Sequence, residues 1–79
     1  MDDGAALELV RRTVARRLGL PVEAVEREHA LADDLGLSSL DFLELRGELE
    51  QAVCAAVAER RLERVRTVAD VVALVVELG

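Results

Sequence analysis

The sequence predicts an all-α fold, a small four-helix bundle with three main helices and one short helix. Three stretches repeat apolar residues at intervals of three and four positions, which is the spacing of one face of an α-helix. Residues suited to helix N-termini open these stretches, and the valine-rich segment that would also suit a strand has no second strand to pair with. Because 79 residues provide room for one hydrophobic core, we predict a single domain that spans residues 1–79.

The first helix is expected to open at Asp3 or Gly4. Its apolar stripe consists of Leu7, Val10, Val14 and Leu18. Gly19 is suited to end the helix because glycine tolerates the left-handed conformation found there, and Pro21 prevents simple continuation. A long connection follows over residues 20–37. The apolar side chains that we expect to anchor it to the core are Val22, Val25, Leu31, Leu35 and Leu37.

The second helix has the clearest N-terminal signal in the chain. Asp41 follows Ser38 by three residues, which predicts a capping box with Ser38 as the N-cap and Ser39 as the first helical residue. The predicted core stripe of this helix is Phe42, Leu45, Leu49 and Val53. Leu40 and Leu43 fall outside that stripe, so we expect both leucines to face solvent.

Residues 54–66 allow two interpretations, a short helix or a continuation of the second helix. At their start, Cys54 is expected to be a small, semi-buried apolar residue. Thr67 and Asp70 then repeat the capping-box pattern and open the last helix. The predicted buried face of that helix is Val68, Val71, Val72, Val75 and Leu78.

Composition excludes several classes of protein. The single cysteine allows neither an intramolecular disulfide nor a cysteine-based zinc site within one chain. His29 has no second histidine with which to share a metal, so we expect it to pack in the connection. The longest apolar run, Val71–Val76, is far shorter than the roughly 20 residues of a membrane span, and residues 1–4 lack the layout of a signal peptide. We therefore expect a cytoplasmic protein without membrane association.

Negative charge is concentrated in one part of the chain. The formal net charge is −6, and residues 28–50, with seven acidic residues and one arginine, carry all of this excess. Nucleic acid is not an expected partner, because an acidic chain repels phosphate and Phe42 is the only aromatic residue that could stack on a base. The segment is either a solvated helix face or an acidic docking surface for basic partners.

Ser39 stands where a helix N-terminus favours negative charge. Backbone N–H groups in the first turn lack partners within the helix and the dipole is positive there, so a phosphate esterified to Ser39 would be stabilised. The alternative is that Ser38 and Ser39 serve only to begin the helix. The local chemistry leaves both interpretations open.

Residues 34–45 provide a context for Ser39, since they read DLGLSSLDFLEL. This segment resembles the D-L-G-x-D-S-L-D-x-x-E-L signature of acyl carrier proteins. Residues 48–50 resemble the acidic end of the second helix of that family, and residues 67–72 resemble the start of its last helix at the usual spacing. The resemblance covers residues 7–78 and implies a carrier rather than an enzyme.

The resemblance also implies roles for individual residues. Ser39 would carry 4′-phosphopantetheine, transferred from coenzyme A by a phosphopantetheinyl transferase, and the thiol of that arm would hold acyl groups as thioesters. The positions that match partner-contacting residues are Leu40, Asp41, Leu43, Glu44 and Glu50. The positions that match the lining of an acyl-chain cavity are Phe42 and Leu45. The other implied partners are acyl-loading, ketosynthase or acyltransferase-type enzymes with basic docking patches, and we expect the carrier to be a monomer.

Four departures from the family pattern bear on the choice of partners, and they include Gly47 in place of a larger apolar residue and Ala58 in place of the usual Pro. Ser38 stands where the family usually has Asp, which keeps a good N-cap but removes a negative charge beside Ser39. Residues 55–66 contain four arginines and two glutamates, although this region is often acidic in the family. These departures favour dedicated partners, in polyketide or other specialised biosynthesis, over housekeeping fatty-acid synthesis.

Two alternatives to an acyl carrier are open. An aminoacyl or peptidyl carrier of a nonribosomal pathway more often has L-G-G-x-S followed by an apolar residue, and Leu37 and the acidic second helix argue against it. An unmodified helical adaptor would bind partners through Leu40 and Leu43. Modification of Ser39 separates the carriers from the adaptor. An enzyme is not expected, because these side chains assemble no general base, nucleophile pair or metal-ligand set.

Overall fold

The computed structural model describes residues 1–79 and confirms the all-α bundle. Four α-helices follow one another without a sheet, and one isolated β-bridge joins Ala30 to Thr67. The helices are α1 (Asp3–Leu18), α2 (Ser39–Val53), α3 (Glu59–Leu62) and α4 (Val68–Leu78), with a 3₁₀ turn at Val22–Ala24 between α1 and α2. None of the helices is both long enough and apolar enough to cross a membrane.

Helix α1 begins at Asp3, which is one of the two predicted positions. Its N-cap is Asp2, whose Oδ1 accepts a hydrogen bond of 2.7 Å from the backbone N–H of Ala5. The helix ends at the predicted place because Gly19 adopts the left-handed conformation, with φ of 69°.

Both predicted capping boxes are present, and they set the starts of α2 and α4. Ser38 Oγ accepts a hydrogen bond of 3.2 Å from the Asp41 N–H, and Asp41 Oδ2 accepts one of 2.9 Å from the Ser38 N–H. Thr67 and Asp70 repeat these two bonds at 3.2 and 3.0 Å. Each box therefore satisfies two backbone donors that the helix itself leaves unpaired.

The core is a single cluster to which α1, α2, α4 and the connection between α1 and α2 all contribute. Its thirteen buried residues are Ala6, Val10, Val14, Ala15, Val25, Leu31, Leu37, Leu45, Leu49, Val68, Val71, Val72 and Val75. Helix α4 also buries Leu74, which lies outside the stripe predicted from the sequence, whereas Leu78 is only half-buried. Phe42 and Val53 pack at the edge of this cluster.

The connection over residues 20–37 is packed against the bundle, as its apolar residues predict. Val25, Leu31 and Leu37 are buried in the core. The Arg11 guanidinium on α1 donates a hydrogen bond of 2.8 Å to the Val25 carbonyl, which fixes this segment to the first helix. The packed connection therefore fixes the position at which α2 begins.

Helix α2 ends at Val53, and Cys54 adopts the left-handed conformation with φ of 55°. The hypothesis that residues 54–66 continue α2 is therefore wrong, and the short-helix interpretation is confirmed by α3. Cys54 is exposed, which also corrects its expected semi-buried position.

Glu50 holds the loop between α2 and α3. Its Oε2 accepts a hydrogen bond of 2.7 Å from the backbone N–H of Val57, whose side chain is buried. Arg46 Nε lies 3.6 Å from the same oxygen. The carboxylate thus provides an acceptor for a backbone donor that no helix satisfies.

Relieving the left-handed residue at position 54 should stabilise the protein. Cys54→Gly is expected to raise the free energy of unfolding by about 0.5–1 kcal/mol, because glycine adopts positive φ without a Cβ penalty. The greater conformational entropy of glycine in the unfolded chain offsets part of this stabilisation. Gly19→Ala, at φ of 69°, should lower it by about 1 kcal/mol. Urea unfolding measures the free energy of unfolding of both variants and of the wild-type chain. A destabilised Cys54→Gly or a stabilised Gly19→Ala would contradict the left-handed conformation assigned to that residue.

Removing the Glu50 carboxylate should destabilise the α2–α3 loop. Glu50→Ala is expected to cost about 1–2 kcal/mol, because the Val57 N–H loses its acceptor. Glu50→Gln keeps an oxygen acceptor and should cost less, and the exposed Glu48→Ala should be close to neutral. Equal effects of Glu50→Ala and Glu48→Ala in urea unfolding would show that this hydrogen bond does not hold the loop.

Candidate functional site

Ser39 is the first residue of α2 and its side chain is exposed. The backbone N–H groups of Ser39 and Leu40 donate to no acceptor within the chain, because the capping box satisfies only Ser38 and Asp41. Two free donors and the positive end of the helix dipole are therefore directed at the space beside the Ser39 hydroxyl. A phosphate ester at this oxygen fits these surroundings.

The two adjacent serines differ in what their hydroxyl groups do. Ser38 Oγ accepts from the Asp41 N–H and also lies 3.0 Å from Asp41 Oδ2, to which it donates. The Ser39 hydroxyl makes no hydrogen bond within the chain. Of the two serines, Ser39 is therefore the one whose oxygen can be modified without loss of the helix cap.

Asp41 carries a stabilised negative charge next to Ser39. The pKa of its carboxyl is held below the usual range, chiefly by the hydrogen bond from the Ser38 backbone N–H, then by the Ser38 hydroxyl, with a smaller contribution from Arg17. The charge that the family usually places one residue before the modified serine is absent at Ser38. Asp41 nevertheless keeps an ionised carboxylate in the same turn.

A cleft of about 570 Å³ opens between α2 and α3, with Ser39 in its wall. The apolar part of its lining is formed by Ala32, Phe42, Leu43, Leu62 and Val65. The charged part is formed by Arg46, Glu59, Glu63 and Arg66. A group attached to Ser39 therefore has both an apolar surface and charged side chains within the same cleft.

Arg46 has an unsatisfied donor. Its Nε is buried and forms no hydrogen bond, since the nearest carboxylate oxygen, on Glu50, is 3.6 Å away and is already bonded to the Val57 N–H. A buried donor without a partner is rare in folded proteins. The Nε atom itself is enclosed, so a group in the cleft meets the rest of the Arg46 side chain, which lines the cleft.

The two positions expected to line an acyl-chain cavity are separated by the fold. Phe42 is half-buried and lines the cleft, whereas Leu45 is completely buried in the core and is not part of its lining. The separation arises from tertiary packing: both residues share one face of α2, but Leu45 is covered by the core, whereas Phe42 lies at its edge where the cleft toward α3 is open.

Four of the five positions expected to contact partners lie together at the start of α2. Leu40 and Leu43 are 63% and 59% exposed, which matches their predicted orientation toward solvent. Asp41 and Glu44 lie beside them, and both form ion pairs with Arg17 of α1. We call Leu40, Asp41, Leu43 and Glu44 the docking face.

Glu50 lies apart from the docking face. It is six residues beyond Glu44, which is roughly 9 Å along the helix axis. Its carboxylate is engaged by the Val57 N–H and by Arg46, so it is less available to a partner than the exposed residues of the docking face.

Sequence reasoning assigned no role to Arg17 or Arg46. Arg17 precedes Leu18 in the last turn of α1 and reaches α2, and Arg46 lies on α2 in the wall of the cleft. Their side chains become functional candidates only because helices distant in sequence meet, and no local pattern signals such a meeting.

His29 and the acidic residues do not form a metal centre. His29 Nδ1 accepts a hydrogen bond of 3.0 Å from the Glu26 N–H, within the connection. The structure contains no group of three or more His, Cys, Asp or Glu side chains that could hold a metal ion.

Comparison with known proteins agrees with this geometry. Residues 8–75 match the family model described as a phosphopantetheine attachment site. The chain is 37% identical over 78 residues to an acyl carrier protein of Saccharopolyspora erythraea, covering 99% of this chain and 82% of that protein. It is 35% identical over 75 residues to an acyl carrier protein of Campylobacter curvus, covering 95% of this chain and 97% of that protein.

Similarity extends to three dimensions. A solved Mycobacterium tuberculosis structure assigned to the acyl carrier proteins superposes with a TM-score of 0.87 at 30% identity, covering 94% of this chain and 99% of that one. The family match, the relatives and the shared fold all include the segment that presents Ser39. The chain belongs to the acyl carrier proteins, which bear phosphopantetheine as a prosthetic group and act as carriers rather than enzymes.

Proposed function

We propose that Ser39 carries the 4′-phosphopantetheine arm and that the chain presents acyl intermediates, including polyketide intermediates, to partner enzymes. The observation that carries this proposal is the free Ser39 hydroxyl, exposed at the N-terminus of α2 and in the wall of a cleft. The thiol of the bound arm supplies the point at which acyl groups are held as thioesters. The protein supplies the attachment point, the cleft and the docking face.

Loading requires one group transfer to Ser39. The hydroxyl oxygen of Ser39 forms a bond to the phosphorus that bears the pantetheine, and the pyrophosphate linkage of coenzyme A breaks. Adenosine 3′,5′-bisphosphate leaves, and the proton of the hydroxyl passes to a base of the transferase. The free N–H groups of Ser39 and Leu40 stabilise the phosphate that remains. The base is assigned to the transferase because both oxygens of Asp41 are engaged, Oδ2 by Ser38 and Oδ1 by Arg17.

The proposed docking face fits partners with basic patches. Leu40 and Leu43 offer apolar surface, and Asp41 and Glu44 place carboxylates beside it. The acidic segment 28–50 extends the field around this face and favours encounter with basic surfaces. A phosphopantetheinyl transferase and acyl-loading, ketosynthase or acyltransferase-type enzymes are the partners that this face would serve.

The lining of the cleft supports an oxygen-bearing cargo over a plain alkyl chain. Four of its ten lining residues are charged, and Arg46 is one of them. A keto group can accept a hydrogen bond from a guanidinium, whereas a methylene group cannot. For this reason we propose polyketide-type intermediates rather than long saturated acyl chains.

Intact mass after incubation with coenzyme A and a broad-specificity phosphopantetheinyl transferase tests the attachment site. The wild-type chain should gain one phosphopantetheine, and Ser39→Ala should gain none while keeping its helical circular dichroism. Ser38→Ala is the matched control, and it should still be modified although loss of the cap lowers stability by about 1 kcal/mol.

Two outcomes contradict the proposal in different ways. Modification of Ser39→Ala would move the attachment to another residue. Absence of modification in both the wild-type chain and Ser38→Asp, which restores the usual family residue, would favour the unmodified adaptor that binds through Leu40 and Leu43.

The cargo is tested by NMR on the protein loaded with hexanoyl or 3-oxohexanoyl groups. The keto-bearing chain should shift the Arg46 side-chain N–H resonances more than the alkyl chain of equal length, because both chains have a thioester carbonyl but only the keto-bearing chain has a second acceptor at C3. Arg12, which pairs with Glu8 on α1, is the internal control and should not distinguish the two. Equal shifts at Arg46 would remove the case for an oxygen-bearing cargo.

A further inference from the structure

We propose that Arg17 of α1 competes with basic partners for the docking carboxylates Asp41 and Glu44. A partner that places a guanidinium or ammonium group on this face must then displace the Arg17 side chain. The proposal deepens the docking role given above, and it assigns to α1 a residue that sets partner affinity.

The geometry joins one cation to two carboxylates. Arg17 Nε lies 3.4 Å from Asp41 Oδ1, and Arg17 Nη2 is paired with Glu44 Oε2. The side chain of Arg17 is 22% exposed, and those of Asp41 and Glu44 are 26% and 44% exposed. The pKa of Arg17 is raised above its ordinary value, first by the hydrogen bond to Glu44, so the pairing favours the charged guanidinium.

Displacement of Arg17 does not require α2 to lose its cap. Asp41 uses Oδ2 for the Ser38 backbone N–H and the Ser38 hydroxyl, while Oδ1 faces Arg17. A partner cation can therefore replace Arg17 at Oδ1 with the start of α2 intact. Exposed ion pairs are worth little in water, so such an exchange is accessible.

The surroundings of the pair indicate the chemistry of the partner. Leu40 and Leu43 flank the two carboxylates and are largely exposed. A surface that combines a small apolar pocket with an arginine or lysine therefore complements this face. Because the carboxylates are already paired, the apolar contact contributes as soon as the surfaces meet, whereas direct pairing of the partner's cation with Asp41 and Glu44 contributes only after exchange.

Arg16 provides a matched control on the same helix. It is exposed and forms no ion pair, so its loss changes the net charge by the same amount as the loss of Arg17. Any difference between the two variants therefore reports the contact with Asp41 and Glu44 rather than the overall field of the protein.

Binding of a hexa-arginine peptide at low ionic strength tests the competition. Arg17→Gln, which keeps an aliphatic stem, should bind the peptide about two- to fivefold more tightly than Arg16→Gln, the range expected when an exposed ion pair no longer competes. Peptide-induced shifts of the Asp41 and Glu44 backbone amides should increase in parallel. Equal affinities of the two variants would overturn the proposal.

A second background separates competition from a general loosening of the helices. In Glu44→Gln, the gain from Arg17→Gln should shrink, because one of the two carboxylates is already absent. An undiminished gain would contradict the assigned contact. If Arg17→Gln does not fold, Arg17→Lys replaces it and leaves the net charge unchanged. Arg17→Lys should bind the peptide more tightly than the wild-type chain, because a single ammonium group cannot span both carboxylates as the guanidinium does.

The peptide test does not depend on the prosthetic group. Failure of Ser39 to accept phosphopantetheine would refute the carrier role and leave the binding result standing. Equal affinities of Arg17→Gln and Arg16→Gln would refute the competition while leaving modification of Ser39 unaffected.

Discussion

Two reciprocal hydrogen bonds between Ser38 and Asp41 hold the start of α2, and the geometry of the functional site follows from where they place it. Successive helical residues point about 100° apart, so the spacing of residues along α2 decides which side chains share a face. On this helix Leu45 is buried and Leu40 is exposed. The cap at Ser38 makes Ser39 the first residue of the helix and leaves it a free hydroxyl and a free backbone N–H at the positive end. A different cap would change the place of Ser39 in the first turn and disturb the attachment site.

Asp41 links this cap to the electrostatics of the surface. One of its oxygens serves Ser38 and the other faces Arg17, which also pairs with Glu44. The acidic segment is therefore more than a solvated helix face, because part of its charge is already engaged by α1. The Asp41 carboxylate therefore affects three features of the structure: the cap of α2, the contact between α1 and α2, and the accessibility of the docking face. Its depressed pKa follows mainly from the helix cap, so the charge persists whether or not Arg17 is in place.

The cleft depends on how α2 ends rather than on how it begins. The left-handed residue Cys54 turns the chain back, and Glu50 fixes the returning loop through the Val57 N–H. This return sets the short helix α3 opposite Phe42 and leaves a space that the core side chains do not fill. A longer α2 would have projected away from the bundle. The cleft is thus a consequence of an irregular helix end, and the charged residues of the Arg-rich segment become part of its wall.

Periodicity and capping signals determined the three main helices, the solvent-facing Leu40 and Leu43, and the position of Ser39 at a helix start, because each depends on residues within one or two turns. The family resemblance supplied the prosthetic group, since the residues around Ser39 carry the signature locally. Tertiary structure alone decided that Cys54 is exposed, that Leu45 is in the core while Phe42 lines the cleft, and that Arg17 engages Asp41 and Glu44. These features arise where separate helices meet or where a non-glycine residue adopts positive φ. Spacing along the chain carries no information about either event, because the determining contacts lie between segments that are remote in sequence.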